Sequence, residues 1–540
     1  MNDSPTNGKK TPSPARLSPG DVRRCTELLE AIVRDRALLA GLSDDERRAL
    51  LTAAGRISRP ETVQERRLVR EFRRAGRRER RGKDRRIVAD AQIRVAREKP
   101  VYVPPTLALP HERRTDEREL QTPRNCYVCK APYKKLHFFY DSMCQACGDF
   151  NYARRFQSAP LTGRVALLTG GRVKIGFQAG LKLLRAGAAL IVTTRFPHDA
   201  AQRYAREPDF AQWSSRLQIH GLDLRHSPSV ELFARYVSSA YERLDFILNN
   251  AAQTVRRPPG FFGHLLQFET TPWAKLPEQI QPLLKNHEEC KAQVVRASAP
   301  AQELVDRASN SAGLAMFTGS GSGAGIGICA SAQLSQIPYA FERGFAGTEA
   351  RTTLFPAGRT DADLQQVDLR ALNSWRLSLS EVATPEMLEV HLVNAVAPFV
   401  LCGKLKALML RKDRDGGYGG PPHCKHIVNV SAMEGIFSRG TKTDKHPHTN
   451  MAKAALNMMT LTSAPDYARD GIFMNAVDTG WVTDEDPAAI AEWKREELNF
   501  QPPLDIVDGA ARICDPIFSG LLTGEHVWGK FLKDYRASAW

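Results

Sequence analysis

Beyond residue 160 the chain carries short apolar runs at intervals: "RVALLTGG", "ALIVTTR", "LQIHGLDL", "LDFILNNAA", "HIVNVSA" and "GIFMNAVDTG". Their apolar positions are consecutive rather than alternate and rich in β-branched residues, as strands covered on both faces are. Helical patterns such as "FQAGLKLLRAGA" lie between several of them. Strands alternating with helices predict an α/β fold, a doubly wound parallel sheet with ligands beyond the carboxyl ends of its strands. Residues 256–370 break this rhythm. There "PEQIQPLLKNHEECKAQVVRAS" predicts a helix, the Gly/Ser-rich "TGSGSGAG" (318–325) a flexible loop, and the whole an insertion.

The first 160 residues obey a different grammar. Residues 1–20 are polar and Pro-rich, which predicts disorder. Residues 21–100 form a helical, Arg-rich region, opening with two amphipathic patterns between Val22 and Ile57, the second starting at Ser43 with acidic residues in its first turn. Residues 101–157 comprise a Pro-containing linker and a cysteine module, and residues 158–540 the α/β domain with its insertion. A chain of 540 residues exceeds one compact core. No apolar run approaches the ~20 residues of a membrane span, and the start lacks the apolar centre of a secretory signal. The expectation is a cytoplasmic protein with no membrane partner.

Charge sharpens this division. The net charge is +16, and residues 66–86 hold twelve basic residues against Glu71, Glu79 and Asp84, more than half of the excess. This stretch is either an arm for RNA, DNA or another acidic partner, or a solvated helix. Of the ten cysteines, Cys126, Cys129, Cys144 and Cys147 form two C-x-x-C pairs fourteen residues apart. Each pair can chelate from a tight turn, and the interval lets them meet around a tetrahedral ion, so structural Zn2+ in a reduced compartment is expected. His137 lies between the pairs as a neighbour, since four thiolates already close the shell.

"TGGRVKIG" (169–176) follows the first predicted strand and opens a helix. Glycines there let a backbone approach a pyrophosphate, and the helix N-terminus offers oriented N–H groups. Here the chain resembles the short-chain dehydrogenase/reductase family, whose Rossmann-type domain opens with T-G-x-x-x-G-x-G. Thr169, Gly170 and Gly176 match. Lys174 takes the middle glycine's place, as a basic residue does in the pteridine-reductase-like branch, and Arg172 and Ile175 complete the turn. The resemblance further implies that Arg195, ending the second strand, suits the 2′-phosphate of NADP(H) over NAD(H). Asp223 and Leu224 serve the adenine side, and Asn250 and Ala251 of "NNAA" flank the cofactor. "NAVDTGWVT" resembles N-x-V-x-P-G-x-x-x-T with Thr479 in the proline's place.

In that family a tyrosine moves the substrate proton, and a lysine four residues later tunes it and holds the nicotinamide ribose. A serine polarises the carbonyl, and an asparagine supports a proton relay. Lys453 and Asn394 match; Thr449 stands at the tyrosine position and Ala432 at the serine position, with Ser431 one residue early. Tyrosine ionises near pH ~10 and can be tuned toward neutrality, whereas an aliphatic hydroxyl is too weak an acid. His446 and His448 flank the site and titrate in the right range; either is a substitute acid or a surface residue.

The resemblance therefore implies an NADP(H)-binding protein whose hydride transfer is impaired or rebuilt, with the zinc and basic modules docking a partner. Two alternatives stay open. One is an active NADPH-dependent carbonyl or imine reductase using a histidine or water as proton donor. The other is a non-enzymatic scaffold, RNA-associated, with its glycine turn empty. The family's usual association through the helix bearing Asn394 implies a homo-oligomer, unless the insertion blocks that surface.

Overall fold

The computed structural model describes residues 17–59, 62–98, 119–305, 323–339, 353–356, 358–361, 365–411, 424–440 and 442–540. Most of the predicted disordered lead, most of the linker and residues 318–322 of the glycine-rich loop lie outside these. The chain divides into two compact units, residues 1–82 and 83–540.

In the first unit, helix α1 (Pro19–Arg34) opens on a reciprocal cap: Ser18 accepts from the Asp21 N–H, and the Asp21 carboxylate accepts from the Ser18 N–H. Helix α2 (Asp44–Ser58) repeats the device with Ser43 and Glu46. No residue of either helix is buried. Helix α3 (Thr62–Ala89) carries the arginine stretch, and Phe72, the aromatic residue within that stretch, is 69% exposed.

After the end of α3, the second unit continues with α4 (Gln92–Arg97), the antiparallel pair β1 (Glu119–Asn125) and β2 (Pro132–Lys135), and α5 (Gln145–Arg155). An eight-stranded sheet follows: β3 (Val165–Thr169), β4 (Ala189–Thr194), β5 (Leu217–Gly221), β6 (Phe246–Asn249), β7 (Lys425–Ser431), β8 (Ile472–Asp478), β9 (Phe531–Lys533) and β10 (Arg536–Ser538). Its order is β10-β9-β8-β7-β6-β3-β4-β5, parallel except where β10 meets β9. The winding reverses between β3 and β6, so a crevice opens there beyond the strand ends.

Alternate strand residues feed two cores, as the period of two requires. Leu168, Val192, Leu248 and Val428 pack with α6 (Lys174–Arg185) and the helix Ile506–Thr523. Leu167, Ile191, Ile247 and Ile427 pack with the helices Ser227–Ala240 and Ala397–Met409. The helical stretch Thr384–Met409 is long and apolar enough to cross a membrane by length and composition, contrary to the expectation that no run approaches that length. Val390, Leu401 and Leu405 of it are buried in the protein core.

The long segment between β6 and β7 shields the edge strand β5. Its helix Gln281–Val305 lies along β5, where Gln218 donates to the Pro282 carbonyl at 3.0 Å and accepts from the Asn286 N–H at 3.2 Å. Gly325, at the described end of the glycine-rich stretch, packs so closely on this helix that a Cβ would stand 2.0 Å from Val294.

Candidate functional site

The turn between β3 and α6 is built on contacts that exclude side chains. Gly170 has φ +70°, and a Cβ on it would lie 2.9 Å from the Ala251 Cα. A Cβ on Gly176 would lie 2.2 Å from the Gly170 carbonyl oxygen. Asn250 fastens the turn by donating from Nδ2 to the Thr169 and Gly170 carbonyls at 3.0 and 3.2 Å, and Thr169 Oγ1 accepts from the Ala251 N–H at 3.0 Å. Lys174 sits at φ +53°, the left-handed conformation that favours the glycine it replaces.

A cleft of about 370 Å³ lies over this turn. It gathers Gly170, Arg172, Lys174, Ile175, Gly176, Arg195, Asp223, Leu224, Asn250 and Ala251, while Thr169 is buried beneath it. The cleft is strongly cationic, and most of its arginines are paired. Arg172 binds Asp199 at 2.7 Å, and Arg225 grips Asp223 at 2.6 Å and Glu389 at 2.8 Å. Burial opposes ionisation of Asp223, yet Arg225 holds its carboxyl below the ordinary value. Arg195 differs: its guanidinium makes no ion pair among the described residues and lies 4.9 Å from the Phe262 ring centroid. Burial, then the charge of Arg225, pushes its pKa down to about 10.

The residues that the resemblance places at catalytic positions sit apart from those lining this cleft. Lys453, on the helix Pro447–Arg469, is buried and donates to the Val430 carbonyl at 2.8 Å. Burial lowers its pKa to about 8. Thr449 and His448 are buried, and neither the Thr449 hydroxyl nor either His448 ring nitrogen has a hydrogen-bond partner among the described residues. Burial, then His446 and His391, lowers His448 to about 4. His446, at φ 44°, stacks on Trp375 with ring centroids 3.8 Å apart and shares a hydrogen bond with its carbonyl. Ser431 donates to Asn457 Oδ1 at 2.6 Å, which commits its hydroxyl to the helix. Asn394 lies in a π-helical turn, Leu392–Val396, and clamps the chain after β6: its Oδ1 accepts from the Gln253 N–H and its Nδ2 donates to the Gln253 carbonyl.

Several cleft residues carry no motif in the sequence. Arg256, Arg257, Phe262 and Gln365 arrive from the insertion, and Thr254 and Glu485 from loops after β6 and β8. Glu485 spans the cleft, accepting from Thr483 Oγ1 at 2.7 Å and Thr254 Oγ1 at 3.3 Å. Burial raises its pKa, but Lys174 and Arg257 prevail and hold it below the ordinary value. The signal for Glu485 is its place two residues past the terminal threonine of "NAVDTGWVT".

No family model matches the chain. It is 28% identical over 406 residues to an uncharacterized protein of Acanthamoeba polyphaga mimivirus, covering 73% of this chain and 71% of that one. It is 33% identical over 91 residues to (-)-isopiperitenone reductase of Mentha piperita, covering 16% of this chain and 28% of that one. Among solved structures, the NADPH-bound carbonyl reductase from chicken fatty liver is similar at 15% identity and a TM-score of 0.38, covering 70% of this chain and all of that one at 100%. The strand order β5-β4-β3-β6-β7-β8-β9, with the glycine turn at its switch point, carries the fold assignment. The domain is a Rossmann-type doubly wound α/β fold.

Ahead of this Rossmann-type domain, the four cysteines converge. The Sγ atoms of Cys126, Cys129, Cys144 and Cys147 all lie within 4.8 Å of one another, and Cys129 and Cys144 are 3.8 Å apart. A tetrahedral ion bound by thiolates at ~2.3 Å has S···S edges of about 3.8 Å, so the cluster fits zinc. Lys130 at φ +63° closes the first chelating turn, donating from its N–H to the Cys126 carbonyl. His137 is engaged elsewhere: Nδ1 accepts from the Phe139 and Tyr140 N–H groups, and Nε2 lies 3.3 Å from Asp149. The module packs on the Rossmann fold through Tyr140, which donates to Asp508 at 2.5 Å, and Arg155, which binds Asp505 at 2.7 Å and Asp508 at 2.9 Å.

Proposed function

We propose that the chain binds NADP(H) in this cleft as a divergent short-chain oxidoreductase whose tyrosine-based hydride transfer is impaired or rebuilt. The observation that carries the nucleotide preference is Arg195, a guanidinium at the end of β4 without an ion-pair partner among the described residues. A 2′-phosphate would supply the missing anion. Gly170 and Gly176 leave room for the pyrophosphate, and Lys453 would hold the nicotinamide ribose once its ammonium leaves the Val430 carbonyl. Bound there, the nicotinamide supplies or accepts a hydride.

The proton is the weak point. Thr449 is too weak an acid, Ser431 is spent on Asn457, and His448 is enclosed and neutral at pH 7 because burial holds its pKa to about 4. Nucleotide binding that outlives ordinary turnover follows from that chemistry. Calorimetry of the full chain with NADPH and NADH tests the proposal. NADPH should bind more tightly, and Arg195→Ala should abolish the preference; equal affinities in the unsubstituted chain would overturn it.

The cysteine cluster is proposed to hold structural zinc, in a reducing compartment that keeps its thiolates available. Residues 66–86, with Phe72 exposed among the arginines, are proposed to dock an acidic partner such as RNA. RNA affinity that falls steeply with salt and disappears on deleting those residues is the expected result; affinity unchanged by the deletion would remove them from the site.

A further inference from the structure

The loop after β8 ties two parts of the second unit together. Its inner side supplies Thr483 and Glu485 to the cleft. Its neck is closed by the Leu504 N–H donating to the Trp481 carbonyl at 3.3 Å. The cysteine module and the helix preceding it both reach this neck. Tyr127, inside the first C-x-x-C turn, accepts from the Trp481 N–H at 3.0 Å. Arg97 donates to the Pro502 and Leu504 carbonyls, both at 2.6 Å. Arg94 donates to Asn499 through its side-chain oxygen and its carbonyl, both at 2.9 Å, while its other edge binds Asp141 at 2.6 Å.

Packing repeats the pattern. Val482, Leu504, Ile506 and Val507 share one buried cluster with Cys126, Phe139 and Met143, and Ile175 of the glycine turn packs on the same cluster. Gly480 reaches the neck at φ +75°, where a Cβ would stand 2.4 Å from Leu504 and 3.2 Å from the Tyr127 hydroxyl. The close fit leaves the loop little freedom while Tyr127 keeps its place, and Tyr127 is placed by the turn that carries Cys126 and Cys129.

We infer that the cysteine module is a clamp acting within the chain: four-thiolate metal binding fixes Tyr127 and the cluster around it, and so holds residues 480–504 as a wall of the nucleotide cleft. Tyr127, Arg94 and Arg97 are positioning residues, since none of them lines the cleft. Metal occupancy and nucleotide affinity are thereby coupled through the Trp481 neck. The affinity half of this inference rests on the NADP(H) reading; the ordering half does not.

The test uses the full chain loaded with zinc, and compares it with Arg97→Ala and Tyr127→Phe, which leave all four cysteines in place. Amide hydrogen exchange should accelerate across residues 480–504 in both variants, with β3 and β6 protection and zinc content unchanged. NADPH affinity should fall by about fivefold, the equilibrium equivalent of one lost hydrogen bond. Removing zinc from the unsubstituted chain with a chelator should accelerate the same segment. Exchange in 480–504 that stays at the starting rate in both zinc-loaded variants would overturn the clamp. If the unsubstituted chain binds no NADPH, the nucleotide reading fails, and accelerated exchange in 480–504 would still support the clamp.

Discussion

The Lys453 ammonium and the Val430 carbonyl oxygen are hydrogen-bonded at 2.8 Å, joining the helix Pro447–Arg469 to β7. Gly435, in the turn after β7, lets the helix backbone come close, since a Cβ on it would lie 2.6 Å from the Lys453 carbonyl carbon. The lysine that resembles the family's ribose ligand therefore has a protein acceptor of its own. Among the described residues no tyrosine hydroxyl is bonded to it, and burial is the dominant influence on it.

A pH dependence follows. Burial depresses the folded pKa of Lys453 from 10.5 to about 8. Between those values the unfolded chain binds the proton and the folded chain does not, so stability contributed here rises with pH across the window and is lowest below pH 8. Lys453→Met should stabilise the fold at pH 7 and flatten the rise, by about 1.4 kcal/mol per pH unit at most. Denaturant unfolding at pH 7, 8 and 9.5 checks this. A variant whose stability parallels that of the unsubstituted chain at all three would rule it out.

The glycine turn makes a second prediction. Lys174 holds φ +53°, where a side chain costs about 1–2 kcal/mol relative to glycine. Lys174→Gly should therefore raise stability by about 1 kcal/mol, less the entropy glycine adds to the unfolded chain. It should also weaken NADPH binding, because the substitution removes one of the cations lining the cleft that would face the anionic nucleotide. Thermal unfolding and calorimetry should move in opposite directions. Tighter binding in the variant would show that the cation opposes the nucleotide.

How far the sequence carries differs between the two halves of this site. The glycine turn was legible because a backbone that approaches another backbone to within a Cβ's width restricts residue type, as Gly176 against Gly170 illustrates. Consecutive apolar residues marked β3 to β8 for the same kind of reason, since each must satisfy a core on both faces. Ser431 was not legible. Residues one apart on a strand point to opposite faces, so spacing alone left open whether its hydroxyl met the cleft, and only its bond to Asn457, 26 positions away, places it. Arg256, Phe262 and Gln365 reach the cleft by the packing of an insertion, which leaves no local pattern.

Buried histidines set the acid limit. His220 is fully buried beside Phe233, Tyr236 and His287, and burial holds its pKa to about 3. His287 is likewise pushed well below its ordinary value by burial and then by His220. Both are neutral when folded and titrate near 6.5 when unfolded, so the stability they contribute is present above pH 6.5 and is lost as pH falls toward 3. Each proton gives a slope of about 1.4 kcal/mol per pH unit. His220→Phe should shallow the loss between pH 6 and 4, read as the shift in urea midpoint. An identical slope in the variant would move the acid sensitivity elsewhere.

The cysteine cluster makes the most direct prediction. Elemental analysis of protein purified under reducing conditions should find one zinc per chain, lost when Cys126 and Cys144 are both replaced by serine. Thiolates, not thiols, bind the ion, so acidification should release zinc together with a drop in thermal stability rather than after it. The drop should be felt beyond the module, because Tyr140 and Arg155 carry it onto Asp505 and Asp508 at the start of the helix Ile506–Thr523. Losing that anchorage exposes part of the cluster containing Phe139, Met143, Val482 and Leu504. Far-ultraviolet circular dichroism should keep the Rossmann signal in the double serine variant while the unfolding midpoint falls by several degrees, as a loss of about 1–3 kcal/mol would give. Metal-free protein with an unchanged midpoint would mean that the four cysteines stand together without needing an ion.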